Sequence, residues 1–278
     1  MNKIAYLFVI CMLTVTFQSC KKDDSSNDNN NNPLENLISR VTHDVGNYVE
    51  FEYDEQRRLT KTTKVEAGVT TEVVYAYDGA GNVTSKTTTQ LGVNPFTRVD
   101  SFTYNSANQL TLASFQNGTT LSYVFAGDNT YTVTNSNTLE EETVKLNASG
   151  QIIEITDSSG YSNTFSYDSN GNLITEQFRD TDGSVLDTTT YGYDNRQSPF
   201  HGQLESLYIY LFMRVDGTLP FLDLDPFEFL RYSNNIKSVT FTDGTTFNYE
   251  FTYGDNGLPE SYSNPHSAVY EVLTFEYY

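Results

Sequence analysis

The sequence predicts an all-β fold, an antiparallel array of β-hairpins that forms a curved or rolled sheet. Nine pairs of aromatic or aliphatic residues recur at a spacing of two, which places both members of a pair on one face of a strand. Most pairs run into a turn rich in Gly, Asn and Asp, after which an apolar residue starts a return strand. The pairs are Phe51/Tyr53, Tyr75/Tyr77, Phe102/Tyr104, Tyr123/Phe125, Val144/Leu146, Phe165/Tyr167, Tyr191/Tyr193, Phe251/Tyr253 and Phe275/Tyr277.

The turn residues explain why the chain reverses after each pair. Asp78 and Asp168 stand at turn entrances, where a carboxylate accepts a backbone N–H two residues further on. Gly81 and Gly171 follow three residues later, at a position that requires positive φ. Asp54 holds the same entrance position in a looser copy. The pattern therefore predicts a repeated hairpin.

The spacing of the repeats has one irregularity. Successive anchors lie 21 to 27 residues apart, except for an interval of 60 residues between Tyr193 and Tyr253. The copy that begins at Tyr253 also fits poorly, because Leu258 comes one residue early after a turn that contains Gly257. We expect a segment that does not belong to the repeat, from 199 to 235, inside the β domain.

At these turns the chain resembles the YD-repeat family, also called the rearrangement-hotspot or Rhs family, whose unit reads Tyr-Asp-x-x-Gly-(Arg/Asn)-(Leu/Val). Segments 77–83 and 167–173 match every position, and the resemblance covers most of residues 38–278. The resemblance implies that in the large members of the family the repeats coil a sheet into a hollow shell around a toxin. This chain has too few units for that and is more similar to the short YD-repeat lipoproteins of Bacteroidetes-type bacteria, many without an assigned activity.

Residues 1–19 have the pattern of a lipoprotein signal peptide. Lys3 supplies a positive charge, a short apolar run follows, and Ser19 precedes Cys20. The run is too short to span a bilayer comfortably as a permanent helix. We expect cleavage before Cys20 and acylation of that residue, whereas a plain secretory signal with an incidental cysteine is the alternative.

The residues after Cys20 are similar to the surface-export signal of Bacteroidetes lipoproteins, through Lys22, Asp23 and Asp24. The resemblance implies an outer-membrane lipoprotein that is exposed at the cell surface. Residues 20–33 are rich in Ser, Asn and Asp, a composition typical of a disordered tether. The β domain is expected to occupy residues 34–278.

The net charge limits the classes of partner, and the cysteine content limits the disulfides that can form. The formal net charge of −20 repels nucleic acid and anionic lipid. Cys11 leaves with the signal peptide, so the mature chain keeps only Cys20 and is expected to contain no disulfide. The sequence contains no phosphate-binding loop and predicts no cofactor.

The segment from 199 to 235 is the most apolar part of the mature chain. The run Asp225-Pro226-Phe227-Glu228 has the form of a helix start, with Asp as N-cap and Pro at the first helical position. The pattern predicts a short helix over 226–232. We expect the segment to cover the apolar face of the sheet, since an open sheet of this size would otherwise expose its aromatic residues.

Few residues have the chemistry of an active site, and we predict no catalytic residues. Asp223, Asp225 and Glu228 are weak candidates for calcium ligands or for a general acid and base, although helix capping already explains two of them. The histidines lack metal-ligand spacing. They are His43, His201 and His266.

The sequence favours a surface lipoprotein, anchored to the membrane through Cys20, that acts as a non-enzymatic binding or structural module. A glycan or another envelope protein is the expected partner. One alternative is a hydrolytic or metal-dependent enzyme sited in the insert at Asp223, Asp225, Glu228 and His201. Another is an accessory to a larger YD-repeat secretion system. An open and a closed sheet use the same alternation, so both remain compatible with the pattern.

Overall fold

The computed structural model describes residues 34–44, 46–92, 94–200, 233–264 and 271–278. These residues form a single antiparallel sheet of 19 strands, so the predicted all-β class is confirmed. The predicted helix over 226–232 lies outside the described residues, and no helix in the described part is long and apolar enough to cross a membrane. The strands are β1 (Ile38–Asp44), β2 (Asn47–Tyr53), β3 (Leu59–Glu66), β4 (Val69–Tyr77), β5 (Val83–Leu91), β6 (Phe96–Tyr104), β7 (Leu110–Ser114), β8 (Thr120–Gly127), β9 (Thr130–Asn135), β10 (Glu141–Leu146), β11 (Ile152–Thr156), β12 (Ser162–Tyr167), β13 (Leu173–Arg179), β14 (Val185–Gln197), β15 (Asn234–Thr240), β16 (Thr246–Asn248), β17 (Glu250–Tyr253), β18 (Pro259–Asn264) and β19 (Glu271–Tyr277).

The sheet closes on itself because its last strand pairs with its first. Each strand pairs with the next along the chain, except that β16 and β17 do not pair with each other, and Val41 of β1 lies opposite both Val49 of β2 and Phe275 of β19. Strands β16 and β17 form one stretch interrupted only at Tyr249, whose backbone N–H donates to the carbonyl of Lys237 in β15 at 2.9 Å. With β16 and β17 taken together, every described strand has a neighbour on each side. No described strand is therefore a free edge.

One face of the sheet carries the hydrophobic core. The first members of several pairs are buried on it, including Phe51, Tyr75 and Phe102. The residues that start the return strands are buried on the same face, and these are Leu59, Val83, Leu110, Ile152 and Leu173. Pairs at a spacing of two thus lie on one face, as the sequence predicts.

Ten turns in the described part share one geometry. In each, the first residue accepts a hydrogen bond from the N–H three positions on, and its own N–H donates to the carbonyl four positions on. The fourth residue has positive φ, between 59° and 91°, which is the three-residue hairpin loop with a bulge. The fourth residues are Arg57, Gly81, Asn108, Gly118, Gly150, Gly160, Gly171, Gly183, Gly244 and Gly257.

An Asp or Asn at the first position of the turn holds it with its side chain. Asp78 Oδ1 accepts the backbone N–H groups of Ala80 and Asn82, each at 2.9 Å, and Oδ2 accepts the Asn82 side-chain amide. These bonds, the side-chain one first, hold the pKa of Asp78 below its ordinary value. At Asp54, burial alone would raise the pKa, but the hydrogen bonds and charge of Arg58 outweigh it.

A tyrosine hydroxyl connects five of the units to the strand that precedes them. The second member of a pair donates to the carbonyl of the first residue in the preceding unit's return strand, at 2.5 to 2.9 Å. Burial, and then the charge of Asp78, raise the pKa of Tyr104, so its hydroxyl remains a donor at neutral pH. The bonds join Tyr77 to Leu59, Tyr104 to Val83, Tyr167 to Ile152, Tyr193 to Leu173 and Tyr277 to Pro259.

The structure corrects the sequence analysis at the last complete unit. Tyr253 lies opposite Pro259, not Leu258, so the return strand starts six residues after the pair, as in the other units. The N–H of Gly254 donates to the carbonyl of Leu258 at 3.0 Å. Leu258 therefore holds the last position of the turn, and the frame is intact.

Removal of one hydroxyl tests the connection between units. In Tyr104→Phe the Val83 carbonyl loses its donor while the ring remains packed, so we expect the free energy of unfolding to fall by about 0.5–1.5 kcal/mol. Urea unfolding followed by circular dichroism measures the change. Tyr48→Phe is the matched control. It also removes one tyrosine hydroxyl, but the contact made by Tyr48 is that of its ring with the Arg40 guanidinium at 3.8 Å, which the substitution keeps. An equal loss in both variants would contradict the assigned role.

The turn aspartates predict a decrease in stability at acid pH. The pKa values of Asp54, Asp78 and Asp168 are lowered in the folded protein. A carboxylate of this kind stabilises fully above its unfolded pKa and loses that effect as the pH falls through its folded pKa. The triple variant with Asn at these positions keeps the Oδ1 acceptors but does not titrate. We expect its free energy of unfolding to vary less between about pH 5 and about pH 2.

The control for this measurement removes the same number of acids elsewhere. Glu35→Gln, Glu55→Gln and Asp255→Asn, combined, change exposed residues without neutralising a turn aspartate that accepts backbone N–H groups. This variant should keep the pH dependence of the parent protein. The interpretation fails if both triple variants reduce the pH dependence of the free energy of unfolding equally.

Candidate functional site

Most site residues predicted from the sequence lie outside the described part of the chain. They are Cys20, Lys22, Asp23, Asp24, His201, Asp223, Asp225 and Glu228. The repeat-turn residues are described: Asp54, Asp78 and Asp168 begin turns, and Gly81, Gly171 and Gly257 hold fourth positions. Within the described ranges, no group of three or more His, Cys, Asp or Glu residues is placed to hold a metal ion.

The 60-residue interval is a repeat unit whose turn has been opened by an insertion. Tyr193 of β14 lies opposite Ile236 of β15, just as Tyr167 lies opposite Leu173 in the preceding unit. Forty residues, 195–234, stand where the ordinary turns have three. The residue before the turn and the residue that starts the return strand still lie opposite each other, so the insertion lies within the turn.

The ends of the insertion are held by the bonds that close an ordinary turn. Asp168 accepts the backbone N–H of Asn172 at 2.9 Å and its side-chain amide at 2.8 Å. Asp194 likewise accepts the backbone N–H of Asn235 through Oδ1 and the Asn235 amide through Oδ2, both at 3.3 Å. Asn235 thus takes the place of Asn172, although it is separated from Asp194 by the whole insertion.

The next unit adds a partner to this pair. The Tyr253 hydroxyl donates to Asp194 Oδ2, where the corresponding tyrosines of other units donate to a backbone carbonyl. It also accepts from Asn235 Nδ2 at 3.2 Å. Burial, followed by the hydrogen bond and the charge of Asp194, raises the pKa of Tyr253. The hydroxyl therefore stays protonated at neutral pH and keeps the Asp194 carboxylate bound.

The preceding unit holds the other side of the insertion. Asn172 and Asn234 exchange two hydrogen bonds, at 2.9 and 3.0 Å. The Ser233 hydroxyl donates to the carbonyl of Asn170 at 2.7 Å, and the N–H of Ser198 donates to the carbonyl of Ser233 at 2.9 Å. The inserted segment is therefore carried by a rigid frame, an arrangement typical of functional loops.

The first residues of the insertion enter the core. Phe200 is buried, and its ring lies 6.2 Å from that of Phe51 in β2 and 6.3 Å from that of Phe275 in β19. A cavity of about 30 Å³ adjoins it. The cavity is lined by Ser198, Pro199, Phe200, Asn234, Asn235, Ile236, Phe251, Tyr262, Leu273 and Phe275. The insertion thus helps to close the sheet where β1, β2 and β19 meet.

Asn235 also lines this cavity and keeps one unused acceptor. Its side chain is buried, and Oδ1 has no hydrogen-bond partner among the described residues. A cavity of this volume holds about two water molecules, and a buried amide oxygen is commonly satisfied in this way. The size suits water better than a substrate.

A second polar cluster lies on the core face of β5 and β6. Lys86 and Asp100 are opposite each other, are 4% and 0% exposed, and have a distance of 3.6 Å between Nζ and Oδ2. Arg98 donates to Asp100 Oδ1 at 2.8 Å. A one-residue slip would leave these charges unpaired in the core. The cluster therefore specifies the register of two threonine-rich strands.

Sequence reasoning missed both clusters. Asn235-Ile236 repeats the Asn172-Leu173 dipeptide at the end of a complete unit, and this was the available signal for the opened turn. No corresponding signal marked Lys86 and Asp100, because a charged residue on the core face breaks the alternation by which strands are recognised.

The comparisons with known proteins support the repeat. The RHS repeat family model matches residues 147–185, which confirms the resemblance of the repeat to the YD-repeat family in this part of the chain. The matched segment includes the turns at Asn147 and Asp168. No curated protein sequence is significantly similar to the chain.

Several solved structures are similar at low identity. A porin-like protein from Bacteroides uniformis is 15% identical, with 87% of this chain and 98% of that chain covered and a TM-score of 0.33. A porin-like protein from Bacteroides vulgatus is 12% identical, with coverages of 87% and 99% and a TM-score of 0.34. The Tc holotoxin pore of Photorhabdus luminescens is 12% identical, with 81% of this chain and 12% of that chain covered and a TM-score of 0.33.

Restoring an ordinary turn tests the interpretation of the insertion. We replace residues 195–234 with Ser-Asn-Gly, the sequence of the turn at Asp168. The variant should fold with an unchanged β-sheet circular dichroism spectrum, because Asp194 and Asn235 then close a normal turn. We expect a loss of about 1.5–3 kcal/mol in the free energy of unfolding, since Phe200 is deleted from the core. A control deletion that extends to Asn235 and Ile236 also removes the residue that closes the turn and the residue that starts the return strand. We expect this variant not to fold.

Proposed function

We propose that this protein is a lipoprotein of the outer membrane, exposed at the cell surface, that acts as a non-enzymatic binding or structural module. The observation that carries the proposal is the closure of the repeat sheet. Each unit is bonded to its neighbours, and the last strand pairs with the first, so the sheet is a rigid frame without a free edge. Such a frame holds residues at its two ends in constant positions.

The two ends of the sheet have different roles in this proposal. Strand β1 begins at the end that bears the repeat turns and the opened turn, which we call the repeat end. Strand β1 follows the tether in sequence, so in this proposal the lipid-bearing segment is attached to the chain on that side. The other end, which we call the opposite end, bears the turns that begin at Phe115, Asp157, Asp180 and Phe241. In this proposal the opposite end is the surface that binds a partner.

The expected partner is another envelope protein or a glycan. The net charge of −20 disfavours nucleic acid and anionic lipid, because both would be repelled over distances of about 8–10 Å at ordinary salt. The frame supports binding through fixed side chains rather than through the pairing of a new strand. We propose no cofactor and no metal.

Substitution of the signal residues tests anchoring and export separately. In Cys20→Ala we expect loss of labelling by radioactive palmitate and loss of the protein from the membrane fraction, because the acylated residue is gone. In the double variant Asp23→Ala and Asp24→Ala we expect labelling to remain, while digestion by a protease added to intact cells falls.

The control for the export variant is Asp28→Ala, which removes an acid from the same tether outside the signal. It should be digested at the rate of the parent protein. Protection of the parent protein in intact cells would contradict surface exposure, and full membrane retention of Cys20→Ala would contradict the anchor.

A further inference from the structure

The opposite end of strands β12 to β16 exposes three aromatic rings and part of a fourth, that of Phe247. Tyr161 and Phe178 stack with their ring centroids 5.7 Å apart, and Phe241 packs edge-on against Phe247 at 5.5 Å. Tyr161, Phe178 and Phe241 are 37%, 37% and 38% exposed. Exposed apolar side chains that stand singly are ordinary on a protein surface, whereas rings that cluster in one patch mark a candidate interaction site.

The two ring pairs lie on one face of the sheet. Phe178 is opposite Asp187 of β14, and Asp187 shares its face with Tyr191 by the alternation of the strand. Tyr191 is opposite Val239, which in turn is opposite Phe247. Strand β14 separates the two ring pairs, and two strand spacings amount to about 10 Å.

Asp187 places a negative charge between the ring pairs. Its Oδ1 accepts the N–H of Thr188 at 2.9 Å and the hydroxyl of Thr242. Oδ2 has no hydrogen-bond partner among the described residues, and the side chain is exposed. We call Tyr161, Phe178, Asp187, Phe241 and Phe247 the aromatic–aspartate surface.

The surroundings of this surface are acidic. Other aspartates lie in the turns that border it, namely Asp157, Asp180, Asp182 and Asp243. Hydrogen bonds, that of the Ser184 side chain first, hold the pKa of Asp182 below its ordinary value. Nearby Arg179 donates to the carbonyl of Gly183 at 2.9 Å and to Gln177 Oε1 and keeps its positive charge, but the four turn aspartates and Asp187 outnumber it. The field at this end therefore favours a cation.

We infer that the aromatic–aspartate surface binds a basic segment of a partner protein, with Arg or Lys side chains placed over the rings and paired with Asp187. Ring faces attract cations, and the exposed carboxylate adds a charge partner at the same place. A purely apolar partner would have to bury the Asp187 carboxylate unpaired, which is costly. An anionic partner would be repelled by the flanking aspartates.

This inference rests on the proposed role as a binding module and specifies the chemistry of its partner. It places the contact at the end of the sheet farthest from the anchored one. Charge complementarity would also speed the encounter and make it dependent on salt.

Fluorescence anisotropy of labelled nona-arginine with the purified protein tests the inference. We expect binding that weakens with added sodium chloride. Phe178→Ala and Asp187→Asn should each weaken it about threefold to tenfold, from the loss of one ring and of one charge. The Phe178 variant keeps the net charge, and the Asn side chain keeps the Oδ1 acceptor. Circular dichroism confirms that both variants are folded.

Asp255→Asn is the matched control, because it removes an exposed acid at the repeat end. It should bind nona-arginine as the parent protein does. An equal loss in this control, or no loss in the two test variants, overturns the inference and assigns any binding to net charge alone. Binding of neutral maltohexaose that is lost in Phe178→Ala would also overturn it in favour of a glycan. The palmitate and protease measurements are independent, so the anchoring proposal survives or fails separately.

Discussion

The hydrogen bond from a tyrosine hydroxyl to the carbonyl of the preceding unit is the interaction on which the sheet depends. It joins the end of one unit's first strand to the start of the preceding unit's return strand, which is the adjacent strand, and so adds a side-chain bond to the backbone ladder between successive units. The two positions without a hydroxyl are Phe125 and Leu146, in the middle of the array. The bond is therefore interrupted in the middle of the array and is present in units on both sides of it.

The same bonding explains how the frame accommodates a long insertion. Only the turn at Asp194 is opened, and its closing partner Asn235 returns to the usual position. The Tyr253 hydroxyl, which lacks its usual carbonyl partner, binds the Asp194 carboxylate instead. Insertion at a turn also leaves the core face unbroken, apart from Phe200, which adds to it.

The two ends of the sheet differ in how far their aromatic rings are covered, although turns of one geometry occur at both. At the repeat end, Asp or Asn side chains satisfy backbone N–H groups and tyrosines are covered. At the opposite end, the strands extend past the core, and rings such as Phe178 and Phe241 remain in contact with water. A strand of seven residues spans about 23 Å, so the ends are separate surfaces. Substitutions at one of these surfaces therefore need not alter the other.

Local features of this protein were determined by the sequence itself, whereas long-range ones were decided by the tertiary structure. The pairs at a spacing of two, Asp at the turn entrance and Gly81 at positive φ are local constraints of sterics and hydrogen bonding, so they were predictable. The closure between β1 and β19, the return of Asn235 to Asp194 and the buried pair of Lys86 and Asp100 depend on residues brought together by the accumulated curvature of many strands. No local pattern encodes that curvature, since an alternating strand is equally suited to an open sheet and to one that meets its own first strand.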